Sequence, residues 1–190
     1  MEYNCSKCQV HQCKYNNNIG INFTAVADCC ARCKYYSADS NTCNKGLCVG
    51  PECSRFIPSY ECVHGGEYAV YQHICPYPSQ HSYVGITKQN PPSKRWGKNG
   101  SGYKSNHFFY EFIKDYGWDN FEHIIIAQGL KERYAVILEA ELIRRYDLTN
   151  RAKGFNKNVD AYSSFNNKQG NSPTWVKNWC DELLKQQKID

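Results

Sequence analysis

The sequence contains no apolar run approaching the roughly 18–20 residues that a membrane-spanning helix needs. Its opening segment, MEYNCSKCQV, lacks the basic stretch and following apolar stretch of a secretory signal peptide. With 14% aromatic and 41% hydrophobic residues, the 190-residue chain can bury a core, which argues against wholesale disorder. We therefore expect a folded, cytoplasmic protein of one ordinary domain or two small ones, with no membrane partner.

The cysteines are distributed unevenly along the chain. Ten of the twelve lie within residues 1–62, a segment with few aliphatic residues. Such a segment cannot close a core by apolar burial alone and needs additional cross-links. The composition changes near residue 64. We predict a cysteine-rich module over 1–63, a linker over 64–67, an α+β domain over 68–160, and a polar linker with a C-terminal amphipathic helix over 161–190.

The cysteine spacing is typical of zinc binding. In a reducing compartment, clustered thiols bind metal more often than they form disulfides. A CxxC turn places two thiolates on one tetrahedral ion, and two such turns complete a structural site. We predict one or two structural Zn²⁺ ions. The candidate ligands are Cys5, Cys8, Cys30 and Cys33 at one site, and Cys43, Cys48, Cys53 and Cys62 at a second.

Other assignments of the thiols stay open. Cysteine-only ligation also suits an iron–sulfur cluster, and disulfides are a further alternative. The module is not densely basic, so docking of nucleic acid and docking of a protein partner are equal alternatives. A rival zinc site combines Cys30, Cys33, Cys43 and Cys53, as in short bacterial cysteine-cluster modules, and leaves Cys5, Cys8, His11, Cys13 or Cys29 for another ion.

Beyond residue 67 the pattern becomes that of a small α+β domain. Two β-rich runs flank a turn with two prolines and predict a hairpin, and amphipathic helices follow. The fold class is α+β, with a central sheet of about three strands flanked by helices. The predicted elements are strands at 68–74 and 82–87, a helix capped by Ser105 and ended by Gly117, a strand at 123–127, a helix at 131–146, and a last helix after Pro173.

Two tripeptides frame the predicted hairpin. Ala69-Val70-Tyr71 is followed, after eleven residues, by Tyr83-Val84-Gly85. Together they resemble the paired signature of the GIY-YIG nuclease superfamily, with Ala69 in place of the first glycine. The resemblance covers residues 68–157 and implies a phosphodiester hydrolase that uses one divalent ion, Mg²⁺ or Mn²⁺. Further matches, in the family's order, are Lys94-Arg95-Trp96, Gly102-Tyr103, residues 116–121, Gly129-Leu130, residues 138–143 and Gly154-Phe155-Asn156.

Glu139 is the carboxylate singled out by its surroundings. Its helical neighbours at three and four positions are apolar, and a lone carboxylate on such a face is costly unless a metal or a partner satisfies it. The family's catalytic glutamate aligns with the same residue, which would hold the Mg²⁺ or Mn²⁺ ion. Glu141 differs, because Arg144 and Arg145 follow it by three and four residues and predict a solvated ion pair.

A basic loop lies beside the signature. No acidic residue occurs between Glu67 and Glu111, and aromatic residues are interleaved with the basic ones. This composition suits a phosphate backbone with stacked bases. The resemblance implies DNA as the partner, with RNA as the open alternative. By resemblance, Arg95 grips a non-bridging phosphate oxygen. The candidate nucleic-acid-binding residues are Lys88, Lys94, Trp96, Lys98, Tyr103 and Lys104.

The resemblance also assigns the remaining catalytic roles. One of Tyr71 and Tyr83 accepts a proton from the attacking water, and the other positions the water or the phosphate. His107 polarises the scissile phosphate or protonates the leaving group, and the amide of Asn156 holds the phosphate or the metal shell. We predict a metal-dependent DNA endonuclease. The alternative is a catalytically silent zinc-containing nucleic-acid-binding protein.

Overall fold

The computed structural model describes residues 36–37, 42–43, 58, 60–159, 172 and 174–186. The side chains of the eight predicted zinc ligands and of their alternatives lie outside this part, so the zinc module stays a prediction. The elements are β1 (Tyr36–Ser37), β2 (Thr42–Cys43), α1 (Tyr60–Val63), β3 (His64–Ile74), β4 (Ser82–Thr87), α2 (Ser93–Trp96), α3 (His107–Tyr116), β5 (Glu122–Leu130), α4 (Glu132–Arg145) and α5 (Thr174–Gln186), with 3-10 helices at Lys98–Tyr103 and Trp118–Asn120.

The described residues fall into two compact units. One contains β3 to α4, and the other contains β1, β2, α1 and most of α5. In the latter unit, α5 buries Trp175, Val176, Trp179 and Cys180, which form the apolar stripe of the predicted amphipathic helix. No helix in the described part of the chain is both long and apolar enough to cross a membrane.

The larger unit is built on a three-stranded antiparallel sheet in the order β4-β3-β5. The predicted α+β class, with a small sheet and several helices, is confirmed. Strand β3 is longer than the sequence pattern indicates, because it already begins at His64 and therefore includes residues 64–67. Helix α4 contacts both β3 and β4, and its Leu138 and Leu142 are fully buried. These contacts fix the helix that carries Glu139 against the two strands that carry the tyrosines.

The start of α3 differs from the prediction. Asn106, rather than Ser105, directly precedes the helix, and its side chain makes no capping hydrogen bond. Instead the Nδ2 of Asn106 donates to the backbone carbonyl of Phe155 at 2.8 Å. A buried amide needs a partner, and here the partner belongs to the segment after α4 rather than to the helix itself. The helix ends at Gly117 as predicted, where φ is 77°.

Aromatic side chains dominate the core beside β3. Tyr71 and Phe109 are almost completely buried there, and several partly buried rings pack around them. The Phe109 and Phe155 rings stack with centroids 4.4 Å apart. The cluster explains how a chain with a modest hydrophobic content closes a core, because each aromatic side chain buries a large apolar area. The other buried members are Cys75, Tyr103, Ile113 and Phe121.

Candidate active site

The two signature tyrosines lie on neighbouring strands and converge over Gly85. Tyr71 is the direct register partner of Gly85, and the Tyr71 and Tyr83 ring centroids are 6.4 Å apart. A Cβ atom on Gly85 would lie 2.7 Å from the Tyr71 hydroxyl oxygen and 2.8 Å from Cε1 of Tyr83. A glycine is therefore required at this position for the close approach of the two side chains.

Tyr71 lies within electrostatic range of two other predicted site residues. The side chain is 1% exposed, and burial raises the pKa of its phenol. A hydrogen bond with Tyr103 and the positive charge of Arg95 lower this pKa, whereas the negative charge of Glu139 raises it further. The Tyr71 hydroxyl thus lies close enough to Arg95 and Glu139 to feel both charges. Tyr83 is half-buried and more accessible.

Arg95 is held beside the tyrosines by the loop that follows α2. Its Nη1 donates to the backbone carbonyl of Gly102 at 3.2 Å, and its guanidinium carbon lies 5.6 Å from the ring centroid of Tyr103. The guanidinium carries five N–H donors in one plane. One of them fixes the side chain on Gly102, so the fork is oriented while other donors can still bind an anion.

Glu139 offers a single, half-buried carboxylate on α4. Within the described segments, no group of three or more His, Cys, Asp or Glu side chains is arranged to hold a metal ion. A protein cage is therefore not formed there. Mg²⁺ usually keeps several waters and binds one or two carboxylates together with substrate phosphates. The carboxylate oxygens of Glu139 fit that mode of binding, and Mn²⁺ shares the preference for oxygen.

The predicted environment of Glu141 is wrong. Its side chain is only 6% exposed, and its Oε1 accepts a hydrogen bond from Nη2 of Arg145 at 3.3 Å. The pairing four residues along the helix is as expected, but the ion pair is not solvated. Residues 140–143 are all buried, so this turn of α4 has no solvent-facing side. Of the two glutamates, Glu139 is the more accessible.

Asn156 is bound to strand β4 through both ends of its side-chain amide. Its Oδ1 accepts from the backbone N–H of Val84 at 3.0 Å, and its Nδ2 donates to the Val84 carbonyl at 2.8 Å. The residue is 5% exposed. In this arrangement the amide is occupied by the strand between Tyr83 and Gly85. Asn156 therefore positions the signature tripeptide, and its predicted contact with a phosphate or a metal shell would require it to leave Val84.

His107 and the predicted lysines lie on the surface. His107 is the first residue of α3 and is exposed, and no hydrogen bond or ring contact within the described part joins it to Tyr71 or Tyr83. Its predicted role at the scissile phosphate or the leaving group therefore stays a prediction. The four lysines of the predicted nucleic-acid-binding set, Lys88, Lys94, Lys98 and Lys104, are all exposed.

The two aromatic residues of the predicted nucleic-acid-binding loop face inward. Tyr103 is 2% exposed, so its ring is a core element and has no free face for a base. Trp96 is half-buried and stacks on His123, with ring centroids 5.2 Å apart and an interplanar angle of 26°. Base stacking by these rings, as predicted, does not agree with their positions. Their packing is dictated by the aromatic core, which the composition of the loop does not reveal.

Sequence reasoning missed a buried chain of polar side chains behind Tyr71. The hydroxyl oxygens of Tyr71 and Tyr103 are 3.1 Å apart, and the Tyr103 hydroxyl lies 2.8 Å from Nε2 of His73. The Nδ1 atoms of His73 and His123 are 2.9 Å apart. One signal was present in the sequence, because residues two apart on a strand share a face and so place His73 beside Tyr71.

Comparison with protein-family models, with curated proteins and with solved structures finds no match to this chain. The functional interpretation therefore rests on the sequence motifs and on the geometry of the site.

Proposed function

We propose that the protein is a divalent-metal-dependent endonuclease that hydrolyses phosphodiester bonds of DNA, with a catalytic domain of the GIY-YIG type over residues 68–157. The observation that carries this proposal is the placement of Arg95 on the ring of Tyr103, whose hydroxyl lies 3.1 Å from that of Tyr71. The charges of Arg95 and Glu139 both act on the Tyr71 phenol. Phosphodiester hydrolysis needs a proton acceptor for water and positive charge on the phosphate oxygens. A phenol, a guanidinium and a carboxylate around one point provide these groups and an anchor for a cation.

Each side chain has a distinct task in the proposed reaction. Arg95, oriented by Gly102, donates hydrogen bonds to a non-bridging phosphate oxygen and stabilises the charge that develops in the transition state. Glu139 would hold Mg²⁺ or Mn²⁺, and such an ion, when bound, supplies Lewis-acid polarisation of the phosphate. Tyr71 accepts the proton of the attacking water, while the more accessible Tyr83 orients the water or the phosphate. The products would carry a 5′-phosphate and a 3′-hydroxyl.

Substrate binding is assigned to the exposed lysines of the loop around Arg95. Lys94 and Lys98 flank Arg95 in sequence and are exposed, so both can approach a phosphate backbone without any rearrangement. Such a contact recognises the negative charge of the phosphate backbone and does not distinguish base sequences. The cysteine-rich module, with one or two structural Zn²⁺ ions, is proposed to dock substrate or a partner protein.

The experiment that tests the proposed function is cleavage of supercoiled plasmid and of single-stranded DNA, with and without added Mg²⁺. We expect Mg²⁺-dependent nicking and linearisation, with ligatable 5′-phosphate ends. Arg95→Lys keeps the charge but loses the planar fork, so it should cleave more slowly while it still binds DNA. Binding without any cleavage by the wild-type protein, with Mg²⁺ and also with Mn²⁺ in its place, would favour the alternative of a catalytically silent zinc-containing nucleic-acid-binding protein.

A further inference from the structure

Four polar side chains form a continuous hydrogen-bonded chain that leads away from the candidate site. It runs from Tyr71 through Tyr103 and His73 to His123, with successive separations of 3.1, 2.8 and 2.9 Å. The first three members are at most 2% exposed, whereas His123 is half-buried. The chain therefore connects the innermost hydroxyl of the site to a histidine with access to solvent.

The hydrogen-bond chemistry allows this chain to run in two directions. A hydroxyl can both donate and accept, and a neutral imidazole donates from one nitrogen and accepts at the other. In one direction, Tyr71 donates to Tyr103, Tyr103 donates to Nε2 of His73, and Nδ1–H of His73 donates to Nδ1 of His123. In the other direction every one of these bonds is reversed, and the structure records this direction at the first link, where the Tyr103 hydroxyl donates to Tyr71. The two states differ by the shift of one proton at each link, with no movement of a heavy atom.

We propose that this chain is a proton relay, in which the proton of the attacking water enters at Tyr71 and is stored on His123. The inference rests on the proposed function, because it needs a reaction that releases a proton beside Tyr71. His73 and His123 are then relay residues that act through Tyr71 and do not touch the substrate.

The transfer balances as follows. As water loses a proton, an O–H bond forms on Tyr71, and the original Tyr71 O–H bond breaks as its proton passes to Tyr103. Tyr103 releases its own proton to Nε2 of His73, and His73 releases the Nδ1 proton to Nδ1 of His123. The hydroxide attacks phosphorus, and the leaving 3′-oxygen takes a proton from solvent. His123, now an imidazolium, holds the proton until the products leave. The three transfers then run in reverse, from His123 to His73, from His73 to Tyr103 and from Tyr103 to Tyr71, and Tyr71 releases the proton that came from water to solvent, which restores the first state.

The surroundings of His123 offset part of the cost of a charge on its ring. The His123 ring packs against two indoles, with its centroid 4.3 Å from that of Trp118 and 5.2 Å from that of Trp96. Aromatic rings packed against a cation stabilise it. The Trp118 backbone also accepts a hydrogen bond from the His123 ring, and the negative charge of Asp119 lies nearby. On the β3 side, the group that faces His123 is the neutral ring of His73.

The interior members cannot hold the charge themselves. Burial and the neighbouring His123 lower the pKa of His73 to about 2, so a stable imidazolium does not form there. Burial raises the pKa of Tyr103 far above its ordinary value, so a stable phenolate does not form either. The proton must therefore move along the chain in a concerted way. Burial also lowers the pKa of His123, partly offset by Trp118 and Asp119.

The test compares variants that break the chain at two different links. His123→Gln removes the terminal proton acceptor, and Tyr103→Phe removes one buried hydroxyl with little change of shape. The matched controls are Tyr110→Phe and His81→Gln, which alter a half-buried tyrosine and a half-buried histidine outside the chain. The measurements are kcat and KM for plasmid nicking between pH 5 and 9, together with the NMR titration of His123 in the wild type.

We expect kcat of the wild type to fall as the pH is lowered through the titration of His123, at a pH below 6.5 because burial lowers its pKa. Each chain variant should lose on the order of 10²-fold in kcat, with KM changed less than about twofold. The fall of kcat at low pH, which tracks the protonation of His123 in the wild type, should be absent in His123→Gln. The double variant should be no slower than either single one, because a relay broken once is already lost.

Several results would overturn the relay. An active wild type whose His123→Gln and Tyr103→Phe variants keep kcat within about twofold overturns the relay and leaves the nuclease intact. Losses that multiply in the double variant, or a fall of kcat at low pH that is retained in His123→Gln, also overturn it. A wild type that cleaves nothing overturns the proposed function and the relay together. If His123→Gln fails to fold, the kcat of Tyr103→Phe alone decides whether the relay is kept or overturned.

Discussion

Asn156 forms a two-way hydrogen-bond pair with the backbone of Val84, at 3.0 and 2.8 Å. The neighbouring backbone continues this contact, because Ser82 donates to the Lys153 carbonyl at 3.0 Å and Phe155 donates to the Ser82 carbonyl at 2.9 Å. Residues 153–156 thus run along the free edge of β4 and fix the strand on which Tyr83 and Gly85 lie.

Asn156→Ala should destabilise the protein as well as slow cleavage. The substitution leaves the buried N–H and C=O of Val84 without their partners, which costs about 1–3 kcal/mol of unfolding free energy. Asn156→Asp keeps an acceptor for the Val84 N–H, so its stability should lie between those of the wild type and Asn156→Ala. Urea denaturation measures the unfolding free energy of both variants. A fully stable Asn156→Ala protein that no longer cleaves DNA would instead place the amide on the substrate.

Gly85→Ala should disturb the convergence of the two tyrosines. The added methyl group would lie 2.7 Å from the Tyr71 hydroxyl oxygen, so the ring must shift, at a cost of about 1–3 kcal/mol of unfolding free energy. Part of this cost should disappear in a Tyr71→Phe background, where the oxygen is absent. A double-mutant cycle on thermal unfolding measures the difference. Additive effects would mean that Gly85 and the hydroxyl are not in contact.

Removal of the exposed lysines should weaken DNA binding without a direct effect on the chemistry. Lys98→Ala loses one contact with a phosphate, so the slope of log K against log salt should fall by about 1. The maximal cleavage rate at saturating enzyme should stay within about twofold of the wild type. Fluorescence anisotropy at several salt concentrations measures the slope. A salt slope identical to that of the wild type would remove Lys98 from the binding surface.

The buried His73 should make the fold less stable in acid. The unfolded residue binds a proton below its ordinary pKa of 6.5, whereas the folded one does so only near 2. Between these values the unfolded state binds more protons, so the unfolding free energy falls as the pH falls, by up to about 1.4 kcal/mol per pH unit. His73→Gln should show a shallower dependence. Equal slopes for both proteins between pH 6.5 and 4.5 would contradict this.

Features fixed by neighbours in sequence could be predicted from the sequence. The two β-rich runs around a turn with two prolines placed Tyr71 and Tyr83 on a hairpin, which the structure confirms. The environment of Glu141 could not be predicted in this way, because burial of a whole helical turn depends on what packs around it.

Features that depend on strand register and side-chain packing could not be predicted from the sequence. His73 and His123 face each other because β3 and β5 pair with these two residues opposite, fifty positions apart in the chain. Nothing local specifies that register. Tyr103 was assigned to a binding surface because its loop is basic, yet its ring fills the aromatic core. Loop composition therefore indicated where the lysines lie but not where the rings point.

The most direct test of the nuclease proposal compares two glutamate variants on supercoiled plasmid with Mg²⁺. Glu139→Gln removes the charge of the proposed metal ligand on α4, while Glu111→Gln, on an exposed face of α3 and paired with Lys114, is the matched control. We predict that Glu139→Gln binds DNA as the wild type does but loses cleavage by on the order of 10²-fold or more, and that Glu111→Gln cleaves normally. Cleavage by Glu139→Gln at the wild-type rate would contradict the account.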